Sequence, residues 1–175
     1  QPVRPGVARG NWWSRYYRDT QAEYRALMDR VKRDGIPFTT SVIDMDWHLV
    51  DGVDPKYGSG WTGYTWNRDL FPDHVAFLDE LHGRGLKTTL NVHPRDGIRA
   101  FESAYPKAAK RMGVDPASGE ALEFALTNPD YMAAYFDIPH ELQDEGLDFW
   151  WPAWQQRGVT SQHGLDPPRT LNHMP

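Results

Sequence analysis

Two aspartates separated by one residue are the side chains best suited to chemistry in this sequence. Asp44 and Asp46 follow an apolar run and are followed directly by Trp47. Side chains two apart on an extended backbone point to the same face, so the pair could hold a metal ion or accept hydrogen bonds from sugar hydroxyls. Solvated carboxylates at the start of a loop are the simpler interpretation of an Asp-x-Asp pattern, but the tryptophan beside them favours a site.

A histidine and a group of aromatic residues are further candidates. His93 stands before Pro94 at the end of another apolar run, where a lone histidine is more often a satisfied polar group than a ligand or base. The aromatic residues between positions 57 and 66 could form a sugar-stacking wall or a packed loop, and the pattern favours neither.

The segment 147–156 carries the remaining candidates, Trp151 and Gln155. Its first half, residues 147–151, is apolar and aromatic and predicts a buried strand, while its second half is polar. In α/β proteins the chemistry lies at the carboxyl edge of the strands. No carboxylate stands between Trp151 and Gln156, and Ala153 occupies the middle of the segment.

The elements that must position these residues alternate between strands and helices. Strands are predicted over 10–17, 38–47, 86–92 and 147–151, and helices over 20–35, 72–83, 104–112 and 128–146. This order predicts a parallel α/β sheet, either part of a TIM-type (β/α) barrel or a doubly wound sheet. The absence of a Gly-x-Gly-x-x-Gly or P-loop motif argues against a doubly wound sheet that binds a nucleotide. Pro139 should kink the last helix or cost roughly 3 kcal/mol.

Composition limits the class of protein. The chain has 175 residues with 39% hydrophobic content, which suits one domain over 1–175 with an irregular lead-in, 1–9, and tail, 158–175. A net charge of -5 does not suggest nucleic-acid binding. The absence of cysteine excludes disulfides and thiolate chemistry. His163 and His173 are too isolated for a metal set, so neither a metal nor a cofactor is expected. No membrane span or signal peptide is expected either, which favours the cytoplasm without fixing the compartment.

Several motifs, in order, resemble glycoside hydrolase family 31, the α-glucosidase and α-xylosidase family. They are Gly10-Asn-Trp-Trp-Ser-Arg-Tyr-Tyr, Val42-Ile-Asp-Met-Asp-Trp-His, Gly60-Trp-Thr-Gly-Tyr-Thr-Trp-Asn, Leu70-Phe-Pro-Asp, Leu90-Asn-Val-His-Pro and Asp148-Phe-Trp-Trp-Pro-Ala-Trp-Gln-Gln. The resemblance implies a (β/α)₈ catalytic barrel that hydrolyses α-linked glucosides or related sugars with retention. A full barrel needs roughly 250 residues, so this chain would supply about the first half. The resemblance implies that Asp44 binds sugar hydroxyls, within a substrate-binding set of Asp44, Asp46, Trp47, His93, Trp151 and Gln155.

The chain departs from the family pattern at the position of the nucleophile. The family's Trp-x-Asp segment falls on Trp151-Pro152-Ala153, and alanine cannot attack an anomeric carbon. The resemblance places the acid/base beyond Pro175, so the expectation is an inactive glycosidase half-barrel. Two alternatives stay open: a non-catalytic carbohydrate-binding or assembly module, and a doubly wound enzyme with Asp44 and Asp46 as metal ligands. A half-barrel would also leave sheet edges open, so homo-oligomers are expected.

Overall fold

The protein, described here from a computed structural model, is defined over residues 6–152. Its strands are β1 (Trp12–Trp13), β2 (Thr40–Ile43), β3 (Lys87–Val92) and β4 (Phe149–Pro152), and its helices are α1 (Gln21–Arg33), α2 (His74–Gly83), α3 (Tyr105–Arg111) and α4 (Pro129–Asp144). Short 3-10 helices span Gly6–Arg9, Pro55–Tyr57, Pro94–Asp96 and Pro116–Ser118.

The four strands form one sheet in the order β1-β2-β3-β4. β1 pairs parallel with β2, and β2 pairs parallel with β3 in a register that places Thr40 opposite Lys87 and Ile43 opposite Leu90. Strand order that follows chain order is the pattern of a TIM barrel, whereas a doubly wound sheet reverses its order at a switch point. The predicted barrel-type fold is therefore confirmed, and the doubly wound alternative does not fit.

The central strands are buried on both faces. All four residues of β2 are buried, as are five of the six residues of β3. Such runs are typical of parallel strands, because the crossover helices cover the faces of the sheet. The helices contribute the apolar residues that the periodicity predicts: Tyr24 and Met28 of α1 are buried, and Phe77 of α2 is fully buried.

Local sequence signals explain where the helices begin. Thr20 and Glu23 form the predicted capping box of α1, in which the Glu23 N–H donates to Thr20 Oγ1 at 3.2 Å and the Thr20 N–H donates to Glu23 Oε2 at 2.8 Å. Asp73 accepts from the Ala76 N–H at 3.1 Å at the start of α2. At α4, Asn128 accepts from backbone N–H groups of the first turn in the same way.

Three strand boundaries differ from the sequence prediction. β1 is confined to two residues, and β2 ends at Ile43 because the chain turns immediately afterwards. The expectation of a buried strand over 147–151 was wrong in part. β4 begins at Phe149, and Trp151 is 40% exposed, because a run of aromatic residues shows strand propensity but not which faces are covered.

Pro139 lies inside α4, which stays helical from Pro129 to Asp144. Proline lacks the N–H that would bond four residues back, and the burial of Tyr131 and Ile138 on the same helix compensates by removing apolar surface from water. Tertiary packing thus outweighs the poor helix propensity of proline.

The chain divides into two compact units. Within the described range, one unit includes residues 6–48, 66–91 and 142–151, and the other includes 49–65 and 92–141. The expectation of a single partial-barrel domain over 1–175 stays a prediction. None of the helices within residues 6–152 has the length and apolar character that crossing a membrane requires.

Asp148 fixes the entry into β4 at the amino end of the sheet. Its carboxylate accepts from Lys87 Nζ at 2.6 Å and from the Thr88 N–H at 2.8 Å, and His82 Nε2 lies 2.8 Å from it. Burial raises the pKa of Asp148, but the hydrogen bonds from Lys87, Thr88 and His82 outweigh burial, so the pKa lies below its ordinary value. A carboxylate therefore connects the start of β3, the end of α2 and the start of β4.

We expect Asp148→Asn to destabilise the protein by about 1–3 kcal/mol at pH 7, because it removes charge-assisted hydrogen bonds. A lowered folded-state pKa gives stability that is present above the unfolded pKa and lost as pH falls through the folded one. Urea unfolding at neutral pH and at about pH 3 should therefore show a difference between variant and parent that shrinks in acid. Asp34→Asn, on a side chain 52% exposed, is the control. Equal unfolding free energies at pH 7 would contradict this role.

Candidate functional site

Asp44 lies at the carboxyl end of β2 with both carboxylate oxygens engaged. Ser14, just after β1, donates its hydroxyl to Asp44 Oδ2 at 3.0 Å. Asn91 of β3 donates its side-chain N–H to Asp44 Oδ1. Each carboxylate oxygen can accept two hydrogen bonds, so this half-buried group keeps capacity for hydroxyl donors. Asp44 is thus an oriented acceptor at the edge where α/β proteins place their ligands.

The backbone turns sharply between the two aspartates. Met45 has φ of +41° and is the non-glycine residue of positive φ within the described range, a conformation that costs an L-residue roughly 1–2 kcal/mol. The Met45 N–H donates to Asn91 Oδ1 at 2.9 Å, which stabilises the turn. The expectation that Asp44 and Asp46 continue an extended backbone was therefore wrong, because this hydrogen bond draws the chain out of the strand.

Asp46 consequently has different neighbours from Asp44. Arg18 Nη1 lies 4.0 Å from Asp46 Oδ1, and the side chain of Asp46 is 8% exposed, against 49% for that of Arg18. The two carboxylates are held by separate partners, so a shared role as a metal-binding pair has no support here. Among residues 6–152, no three His, Cys, Asp or Glu side chains cluster as a possible metal set.

Trp47 is fully buried in the same unit. Its indole N–H donates to the Asn91 carbonyl at 2.9 Å and to Asn91 Oδ1 at 3.2 Å. Its ring packs edge-on against Trp66 at 5.4 Å and Trp150 at 6.0 Å. These contacts give Trp47 a packing role beside Asp44, and direct contact with a sugar stays a prediction.

Asn91 and Ser14 are contributors that the sequence reasoning missed. Asn91 is 2% exposed within a strand of otherwise apolar and threonine residues after Lys87. A buried amide must find hydrogen-bond partners, so an asparagine inside a predicted buried strand was a usable signal. Ser14 carried no comparable signal, since a serine beside an aromatic pair does not by itself identify a site.

His93 lies in the second unit and is buried, 5% exposed. Its carbonyl accepts from the Thr62 hydroxyl at 2.5 Å, and the same hydroxyl accepts from the Asp96 N–H at 3.1 Å. The indole of Trp61 packs against the His93 ring with centroids 4.9 Å apart. Thr62 therefore fixes the turn after β3, and a role of His93 in substrate binding stays a prediction.

The aromatic residues 57–66 divide between the two interpretations. Tyr64 and Trp66 are buried, and the Trp66 ring stacks on His74 at 4.5 Å, which is packing. Tyr57 and Trp61 are only half-buried and keep ring surface that a sugar could contact. Ala153 and Gln155, the nucleophile position and a predicted sugar ligand, lie outside the described residues.

The sequence also matches a known protein family. The protein-family model described as the glycosyl hydrolases family 31 TIM-barrel domain matches residues 1–166. The chain belongs to glycoside hydrolase family 31. No curated protein matches the sequence.

Solved structures show the same fold. An α-xylosidase from a soil metagenome, complexed with xylose, is 18% identical over 91% of this chain and 24% of its own, with a TM-score of 0.62. A xylosidase from Aspergillus niger is 16% identical over 86% of this chain and 21% of its own, with a TM-score of 0.64. The cycloalternan-degrading enzyme from Trueperella pyogenes, in complex with a covalent intermediate, is 18% identical over 98% of this chain and 27% of its own, with a TM-score of 0.57. The chain thus spans about a quarter of the length of these relatives.

A buried acid, Glu102, lies in the second unit of this family 31 chain. The carboxylate is 3% exposed, and its Oε2 accepts from the Thr65 hydroxyl at 2.5 Å and from the Tyr64 N–H at 3.2 Å. Its Oε1 is buried without a hydrogen-bond partner among the described residues. Burial raises the pKa of Glu102 to about 7, although the hydrogen bonds from Thr65 and Tyr64 act in the opposite direction. An acid in a loop suggests solvent exposure, so sequence alone gave no sign of it.

We expect Glu102→Gln to be more stable than the parent at pH 8. This advantage in stability should disappear as the pH falls to 4. A raised folded-state pKa means that the folded protein holds the proton more tightly, so parent stability falls as pH rises from about 4.5 to about 7. Glutamine does not titrate, so the variant lacks this fall. The difference between parent and variant should change by roughly 3 kcal/mol across that window.

Urea unfolding at a series of pH values measures this change. Glu123→Gln is the matched control, because Glu123 is 74% exposed and lies in the same unit. A pH-independent difference between Glu102→Gln and the parent would show that folding does not shift the pKa of Glu102.

Proposed function

We propose that this chain forms the sugar-recognising part of a family 31 barrel that acts on α-linked glycosides. The observation that carries the proposal is Asp44, an oriented carboxylate at the carboxyl end of β2 with lone pairs left for hydroxyl donors. Sugar hydroxyls are strong hydrogen-bond donors, and a fixed acceptor binds them without having to be ordered first. Its place at the strand ends matches the ligand-binding edge of barrel enzymes.

The substrate class supported best is α-glucosides and α-xylosides. Two of the three structural relatives described above are xylosidases, and the α-xylosidase is complexed with xylose. Glucose and xylose share their ring hydroxyls and differ at the hydroxymethyl group, so an acceptor aimed at ring hydroxyls suits both.

Retention is the stereochemical course we propose for the family barrel. The Trueperella pyogenes relative is in complex with a covalent intermediate, and covalent intermediates are the mark of retaining glycosidases. Retention requires two carboxyl groups about 5–5.5 Å apart. At the nucleophile position this sequence has Ala153, whose methyl group has no lone pair to attack the anomeric carbon. We therefore propose that the chain binds sugar without hydrolysing the glycosidic bond.

The same alanine favours a second candidate function, a non-catalytic carbohydrate-binding module. Such a module needs oriented hydroxyl acceptors and aromatic faces but no nucleophile. The two candidates agree on Asp44 and differ in whether hydrolysis would return when a carboxylate at position 153 is combined with the family's acid/base.

We expect Asp44→Asn to weaken binding of D-xylose or D-glucose at least about tenfold, because a charged acceptor of sugar hydroxyls is lost. Isothermal titration of the 175-residue chain with each sugar measures the affinity. Asp34→Asn, an exposed change just after α1, should bind as the parent does. Equal affinities of Asp44→Asn and the parent would remove Asp44 from the sugar site.

We expect Ala153→Asp to remain inactive in the 175-residue chain, even toward a nitrophenyl α-glucoside or α-xyloside. Positioned general acid catalysis contributes roughly 10²–10⁴-fold, and the resemblance assigns that acid to a part of the barrel beyond Pro175. The nitrophenolate leaving group needs little protonation, so this substrate is the most permissive test of the nucleophile.

Release of nitrophenolate over hours provides the readout, with Ala153→Asn as a control of the same size that cannot act as a carboxylate nucleophile. Turnover by Ala153→Asp well above both the Asn variant and the parent would show that this segment is a competent catalytic scaffold. It would also favour the enzyme over the binding module.

A further inference from the structure

A single buried amide, that of Asn91, connects the end of β2 with β3. Its N–H group donates to Asp44, while its Oδ1 accepts from the Met45 N–H at 2.9 Å and from the Trp47 indole at 3.2 Å. Asn91 is 2% exposed, so these hydrogen bonds lie away from bulk water. One side chain thus holds the carboxylate, the turn and the tryptophan of the segment 44–47.

The two halves of the amide have different roles, and only asparagine among residues of this shape can fill both. Aspartate would keep the acceptor for Met45 and Trp47 but would place a second carboxylate against Asp44. Leucine would fill the same volume with neither donor nor acceptor. The Asn91 N–H group and the Ser14 hydroxyl approach different oxygens of Asp44, which fixes the rotation of the carboxylate as well as its position.

We propose that Asn91 is a positioning residue for sugar recognition, acting through Asp44. By holding one carboxylate oxygen while it stabilises the left-handed turn at Met45, Asn91 directs the remaining lone pairs of Asp44 toward the sugar hydroxyls. This inference rests on the proposed sugar site, whereas the structural part, the support of the Met45 turn, does not.

Two variants, one single and one double, separate the effect of Asn91 on sugar affinity from its effect on stability. Asn91→Asp removes the donor to Asp44, and we expect it to weaken D-xylose or D-glucose binding at least about tenfold. The double variant Asp44→Asn with Asn91→Asp restores the hydrogen bond with its direction reversed, since the amide at 44 now donates to the carboxylate at 91. Its melting temperature should return toward that of the parent, but its sugar affinity should not, because the carboxylate has moved to β3.

Asn67→Asp is the matched control. Asn67 is also buried, at 6% exposed, and its Oδ1 accepts backbone N–H groups of Asp69 and Leu70, which aspartate can equally do. It should bind sugar as the parent does. Sugar affinity in Asn91→Asp within about twofold of the parent would overturn the positioning role.

Hydrogen exchange of the Met45 N–H, followed by NMR, gives a readout that does not depend on sugar. In Asn91→Leu this proton loses its acceptor and should exchange at least about tenfold faster, whereas the double variant keeps an acceptor and should stay near the parent rate. Unchanged exchange in Asn91→Leu would overturn the structural part. If the parent binds neither sugar while Met45 exchange behaves as expected, the proposed function fails and the support of the turn stands.

Discussion

The hydrogen-bonding demand of one buried amide organises the polar edge of this sheet. β2 and β3 are covered on both faces, so a polar side chain among them must find its partners within the protein. Asn91 meets that demand at Asp44, and Asp44 in turn accepts from Ser14. The result is a continuous polar chain across the ends of three neighbouring strands, in which each member orients the next.

Much of the fold was predictable because local signals and global pattern agree. Thr20 and Glu23 mark the start of α1 as a capping box, and the apolar periodicity of α2 identifies its buried face. The alternation of strands and helices then implies a parallel sheet, and the family motifs select the barrel. Asp44 was predictable as a candidate site residue for the same reason, since it directly follows a buried strand.

The rest depended on contacts between residues distant in sequence. Nothing local announces that Met45 adopts a left-handed backbone, because the hydrogen bond that stabilises it comes from a residue 46 positions later. A glutamate in a loop, such as Glu102, is usually exposed to solvent, yet packing of the segment around Thr65 buries it. Trp151 shows the converse, because aromatic character predicted burial where the strand end is exposed.

The register of the sheet also bears on the order in which the chain folds. Pairing Trp12 with Thr40 closes a span of 28 residues, whereas pairing Thr40 with Lys87 closes one of 47 (40 − 12 and 87 − 40). Loop-closure entropy differs between these spans by only about 0.5 kcal/mol. The longer closure aligns four residue pairs and the shorter one only two. We therefore expect the β2–β3 pairing to form before the β1–β2 pairing, despite its higher contact order.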